Sequence, residues 1–192
     1  MTPPGPPRRS PADWPEWARL RQPDRYSCGP SSLVVARWCA REEAPTALEH
    51  DFAAVVLATH RAEGRRWPRV LGLAPWDLAA ALGRDPGGRW SWWAGVRSVR
   101  AGAVVEDVLA HARREVAVPV YVGDRWLPRH VVLVVGVADG DGWAVYDPAR
   151  GQLGAVSPAQ VREGRLPVGR WTRVWFPVLP GPDQRLTSPD QA

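Results

Sequence analysis

Lysine is absent from this chain: all 25 basic side chains are arginine, set against 20 acidic ones. Arginine binds phosphate and carboxylate well. The formal net charge is only +5, however, and the arginines form no dense block, so composition gives little support to a nucleic-acid-binding function. Cysteine is almost as scarce. Cys28 and Cys39 are the only two, and eleven residues separate them within what reads as one helix. At 1.5 Å rise per residue they stand roughly 16 Å apart, too far for a disulfide. That excludes a disulfide-stapled scaffold and points to a reducing compartment or to thiol chemistry. No apolar run approaches the length needed to span a bilayer, and no charged-then-apolar leader opens the sequence, so a cytoplasmic location is expected. No internal repeat is visible.

What is present suits one domain of ordinary size. The chain has 192 residues, 45% of them apolar and 23% charged, enough to bury a core. Residues 1–13 and 180–192 are rich in Pro, Arg, Gly, Asp and Ser and are expected to be disordered tails, leaving 14–179 as the folded domain. Apolar spacing predicts helices over Gly29–Arg41, Thr46–Ala62, Pro75–Leu82 and Val104–Arg114. Gly83–Gly95, with its Asp-Pro-Gly-Gly run, is expected to be a loop feeding a short strand. The second half changes period. Val118–Val122, His130–Val137, Trp143–Tyr146 and Arg173–Val178 are rich in Val, Trp and Tyr and read as strands. Helices followed by strands argue an α+β domain with an antiparallel sheet. Val131–Val137, apolar on both faces, should be its central, covered strand.

One set of residues suggests chemistry. Cys28 opens a helix in the run Tyr26-Ser27-Cys28-Gly29-Pro30, where free N–H groups and the peptide dipoles stabilise a thiolate. Its own N–H can meet a developing oxyanion, and Gln22, six residues upstream, is placed to bring a second donor. His130 stands at the mouth of the predicted central strand as a candidate general base. The chain then turns at Asp139-Gly140-Asp141-Gly142 and returns through Tyr146-Asp147-Pro148. In a register of matching parity, Asp147 lies one diagonal step from His130, on the same face, where it can orient the imidazole. Each residue also has a plainer use: Asp before Pro ends strands, and a histidine at a strand end often only packs. Cys39, His50, His60 and His111 are read as packing or surface residues.

The segments Gln22-Pro23-Asp24-Arg25-Tyr26-Ser27-Cys28-Gly29-Pro30, His130-Val131-Val132-Leu133-Val134-Val135-Gly136 and Val145-Tyr146-Asp147-Pro148 resemble the papain-like cysteine peptidases, in particular the bacteriocin-processing (double-glycine leader) peptidase-like branch. The resemblance implies a papain-like fold with N-terminal helices packed on a C-terminal antiparallel sheet. It also implies Cys28, His130, Asp147 and Gln22 as catalytic residues, peptide or isopeptide hydrolysis as the reaction, and no metal or cofactor. The Trp-rich stretch from Trp67 to Trp93 matches nothing in that family, and no transporter segments follow. Trp126 and Trp93, with Trp90 and Trp92, are candidate walls for a peptide or protein substrate, although core packing is the usual use of tryptophan. The same triad order also serves glutamine deamidation and acyl transfer to a protein, as in toxins and effectors. A non-catalytic basic module built on Arg61, Arg65, Arg66 and Arg69 is the remaining alternative. The oligomeric state is not legible from sequence.

Overall fold

The run Pro128–Ala138 can bury side chains on both faces only if it lies inside a sheet covered on both sides. In the computed structural model it does. It is the third of five antiparallel strands, in the order β5-β4-β3-β2-β6: β2 (Val118–Gly123), β3 (Pro128–Ala138), β4 (Gly142–Asp147), β5 (Gln152–Val156) and β6 (Arg173–Pro177). The structure describes residues 17–41, 51–65, 67–85 and 88–181. Before the sheet come helices α1 (Cys28–Arg41), α2 (Phe52–Glu63), α3 (Pro75–Arg84), α4 (Trp92–Arg100) and α5 (Val104–Ala112); α6 (Pro158–Arg162) follows β5. A separate two-stranded pair joins β1 (Trp90–Ser91) to β7 (Leu179–Pro180). The chain is therefore α+β, with an antiparallel sheet, as its sequence leads one to expect.

Alternation along β3 sorts the core into two layers. Val131, Leu133 and Val135 join Leu33, Val35, Phe52 and Leu78 from α1, α2 and α3, while Val132 and Val134 join Val105, Val108 and Leu109 of α5 on the other side. Full burial of a valine or leucine contributes about 1.5–3 kcal/mol, so this strand and its two covering layers supply a large share of the folding free energy. The sequence suggested helices packed on the sheet without assigning them to faces. In the structure they take both, because α5, the last helix before β2, crosses to the side opposite α1.

Several local readings need correction. Gly83–Gly95 is not loop throughout: α4 begins at Trp92, capped by Ser91, whose Oγ accepts the Ala94 N–H at 3.1 Å. Gly95 explains why a helix made largely of Trp, Val and Arg docks here. A Cβ at that position would lie 1.7 Å from the Pro177 carbonyl oxygen, so α4 rests its backbone directly on β6. β5 and α6 were not anticipated either, yet α6 carries a legible start signal, a capping box in which Ser157 and Gln160 bond each other's backbone N–H. Pro180, expected in the tail, pairs with Trp90, and Gly181 donates to the Arg89 carbonyl at 2.6 Å. The expected tails at 1–13 and 182–192, the first residues of the Thr46–Ala62 helix, His50 and Arg66 lie outside the described residues. No described helix is long and apolar enough to cross a membrane.

Replacing Gly95 with alanine separates two effects. Helix propensity favours Ala by about 1 kcal/mol, whereas the overlap with Pro177 forces α4 away from β6 at about 1–3 kcal/mol or more. Gly95→Ala is expected to lower the urea unfolding free energy, so the clash outweighs the propensity.

Candidate active site

The start of α1 is built by one aspartate. Asp24 Oδ1 accepts the Tyr26 N–H at 2.9 Å and the Ser27 hydroxyl at 2.7 Å, an Asx turn that delivers the chain into the helix, and Oδ2 is paired with Arg69. The Ser27 carbonyl already accepts from Ser31 N–H, so Ser27 is the cap and Cys28 the first helical residue, its N–H unclaimed by the helix ladder. Gly29 permits a close approach. Its missing side chain lets Leu73 pass over the helix start, where a Cβ would stand 2.9 Å from Leu73 Cβ. The Leu73 carbonyl in turn accepts the buried Tyr121 hydroxyl at 2.7 Å.

β3 brings the histidine to this helix. Val131 lies beyond the last paired residues of β4, and α1 packs against β3. The Val131 N–H bonds Cys28, and the Val131 carbonyl faces the Ser32 hydroxyl at 3.5 Å. Next along the strand, the His130 ring is hydrogen-bonded to Asp147, with Nε2 2.8 Å from Oδ1, and stands close enough to Cys28 for each to shift the other's charge. Nε2 is thereby committed to the carboxylate, which leaves Nδ1 for the sulfur.

A single bulge decides whether Asp147 can reach. Near the hairpin tip Val137 pairs with Trp143 and Gly136 with Ala144, but beyond Val135 the register moves by one, so that Val134 pairs with Val145 and Leu133 with Tyr146. Continued, the shifted register sets Asp147 opposite Val132, two residues from His130 and on its face. Without the extra residue Asp147 would stand opposite Leu133 and point to the other side of the sheet. The diagonal step expected from the hairpin therefore exists, and the bulge at Val135 produces it.

Electrostatics follow from this geometry. Burial alone would push the Cys28 thiol up, but the hydrogen bond and charge of His130, together with the N–H groups of Val131 and Gly29, hold it below the ordinary thiol value. Burial likewise disfavours a charged His130, yet hydrogen bonds to Asp147 and Cys28 and the negative charge on both raise it to about 9. Asp147 is pushed up by burial and pulled down further by His130, by the Ala149 N–H and by Arg150, so it stays ionised. The site thus favours negative charge on sulfur, positive charge on the imidazole and an ionised carboxylate behind it. Cys39, in the same helix but lacking such neighbours, is pushed by burial up to about 12.

Gln22 is pinned next to this group. Its N–H donates to the Pro148 carbonyl at 2.8 Å, while Arg21 Nε reaches the Ala149 carbonyl at 3.1 Å and the Tyr146 hydroxyl bonds the Leu20 carbonyl. Residues 20–22 are thus stitched to the turn that follows Asp147. The Gln22 side chain donates one amide hydrogen to the Asp24 carbonyl at 2.6 Å; its second hydrogen remains for another acceptor.

The two tryptophans proposed as substrate walls occupy different elements. Trp126 is exposed in the β2–β3 turn under the Arg125 guanidinium. Trp93 is exposed at the start of α4, at the end of an edge-to-face series formed with Trp67, Trp76 and Trp92. Trp92 continues inward to Phe176, which stacks on Tyr121, so the series connects the surface to a residue close enough to Cys28 to feel its charge. Trp17, Trp38 and Trp143 are core residues. His60 is a buried packing residue, and Arg69, assigned to the basic patch, is paired with Asp24. Sequence reasoning missed Asp24 and Tyr121. An Asx turn four residues before Cys28 is the signal that finds the first, whereas nothing local distinguishes Tyr121 from other strand tyrosines. Among the described residues no three His, Cys, Asp or Glu side chains are grouped to hold a metal. No protein-family model matches the chain, and no curated protein is significantly similar to it.

The three charges have a signature in pH. His130, raised from 6.5 to about 9, contributes stability that is complete below 6.5 and lost as pH rises through 9. Cys28, lowered from 9.0, contributes stability that is complete above 9 and lost as pH falls through its folded value. Across the window from about pH 6.5 to 9 the two slopes oppose one another, because folding adds a proton to His130 and favours loss of one from Cys28. Unfolding titrations of Cys28→Ala at a series of pH values should therefore show stability falling across this window relative to wild type, because only the His130 slope, still supported by Asp147, remains.

Proposed function

We infer that the protein is a papain-like thiol hydrolase that cleaves peptide or isopeptide bonds through Cys28, His130 and Asp147. The observation that carries this reading is the placing of a helix-start cysteine beside His130, whose ring is hydrogen-bonded to the buried carboxylate of Asp147. Cysteine at a helix start, histidine on the central strand and aspartate on the adjoining strand also match the layout of that fold.

In the proposed reaction the Cys28 thiolate attacks the carbonyl carbon of an amide, forming a C–S bond and placing negative charge on oxygen. The Cys28 N–H and the free amide hydrogen of Gln22 receive that oxyanion. Imidazolium His130 gives its proton to the leaving nitrogen, and the C–N bond breaks. Water then adds to the thioester, passing a proton to His130, and the carboxylic acid leaves as the thiolate is restored. Asp147 fixes the ring so that Nδ1 faces sulfur, and it stabilises the imidazolium throughout.

The reading is tested first by alkylation. Cys28 is expected to react with iodoacetamide well below the ordinary thiol range while Cys39 stays silent until the protein unfolds, and His130→Gln should move the Cys28 profile upward. Proteome incubation followed by mapping of new N-termini then identifies the acceptor. Cleavage by wild type should fall by about 10³-fold or more in Cys28→Ala at unchanged fold. New unit-mass shifts at glutamine without new termini would replace hydrolysis by deamidation. A Cys28 thiol that titrates like a free cysteine would remove the proposal.

A further inference from the structure

At the end of the sheet where His130 stands, the β2–β3 turn and the turn before β6 enclose an open pocket of about 360 Å³ lined by Asp124, Arg129, Arg170 and Trp171. Both of its walls are tied down. On one side Gly123 lies so close to the Leu127 carbonyl that a Cβ would approach it to 2.0 Å, and Asp124 Oδ1 accepts the N–H groups of Trp126 and Leu127 at 2.7 and 2.9 Å. The Asp124 carbonyl also takes the Trp175 indole N–H at 3.0 Å. On the other side Trp171 N–H bonds the Val168 carbonyl at 2.9 Å, and Thr172 N–H bonds the Gly123 carbonyl at 3.1 Å. The Arg170 guanidinium lies over the Trp171 ring at 4.5 Å, which limits the orientations it adopts.

Arg129 is brought to this pocket by a second bulge in β3. Val122 pairs with His130 and Gly123 with Pro128, so Arg129 is the unpaired extra residue between them. A bulge re-aims one side chain, and this one separates Arg129 from the ladder immediately before the imidazole.

We propose that this pocket is a docking site for an acidic side chain of the polypeptide acted on at Cys28, with Arg129 and Arg170 holding its carboxylate. The proposal rests on the hydrolase reading for the identity of the polypeptide, but not for the binding itself. Two arginines lining one pocket favour an anion, and their planar forks match a carboxylate. Asp124 selects a peptide over a nucleic acid. Its Oδ1 is committed to the turn while Oδ2 remains as an acceptor, and a peptide supplies an N–H next to its own carboxylate whereas a phosphodiester chain supplies none. Closely spaced phosphates would also meet the Asp124 charge, which the turn N–H groups and the two arginines keep ionised.

The test uses the full-length Cys28→Ala protein on an array of acidic, neutral and basic nonapeptides of otherwise matched composition, at about 0.15 M salt. Acidic peptides should be retained at least about tenfold better than basic ones, and Arg129→Gln/Arg170→Gln, checked for an unchanged melting temperature, should abolish the difference. Charge reversal at both positions should turn the preference toward basic peptides. Three results overturn the proposal: no charge preference, a preference that survives the double substitution, or tighter retention of a single-stranded oligonucleotide than of any acidic peptide. Failure here leaves the reactivity of Cys28 untouched, and an unreactive Cys28 leaves this binding measurement intact.

Discussion

The hydrogen bond between His130 and Asp147 is the contact on which the site depends, because it decides where a proton rests. A buried imidazole left to itself would be neutral, and a buried thiol would keep its hydrogen. With a carboxylate fixed behind the ring, charge on the imidazole is favoured, and charge on sulfur follows from it. The rest of the architecture holds that contact in place. β3 supplies a stiff mount covered on both faces, α1 packs against it, and residues 20–22 clamp the turn beyond Asp147. Removing one member of such a buried, paired group costs about 3–5 kcal/mol, since the partners keep their charge and lose its compensation.

Much of this was legible in the residues. Val, Trp and Tyr favour strands for steric reasons, and the unbroken apolar run after His130 reads as a covered central strand. The Cys-Gly-Pro start, the Asp-Gly-Asp-Gly tip and the Asp-Pro end fixed the order of helix, strand and hairpin without any coordinates. The parity of the hairpin was not legible. A bulge depends on which of several valines is left out of the ladder, and Val131 to Val135 are nearly interchangeable as text. The same holds for Arg129, whose displacement from β3 follows from the tight closure of the turn at Gly123. α4 was hidden for another reason: its aromatic, β-branched composition reads as strand, and only its docking against Pro177 through Gly95 makes it a helix.

Contrast within α1 shows how little of a cysteine's chemistry resides in the cysteine. Cys28 and Cys39 share a helix, a covering layer and near-complete burial. Ionisation is favoured in one and opposed in the other, because Cys28 meets His130 and the N–H groups of Val131 and Gly29, whereas Cys39, three turns further along, meets only burial. The same burial that would suppress ionisation in isolation strengthens every interaction that favours it once a partner is present.

The bulge at Val135 also constrains how this hairpin can diverge. Residues at its tip, around Asp139 to Asp141, can be added or removed in ways that keep the two arms aligned, since they lie beyond the irregularity. Between Val135 and His130 on one arm, and between Val145 and Asp147 on the other, an insertion or deletion of a single residue would exchange inside for outside and part the ring from its carboxylate. Length variation in homologous chains should thus gather at the tip and be forbidden on the stems, whatever substrate each chain has come to accept.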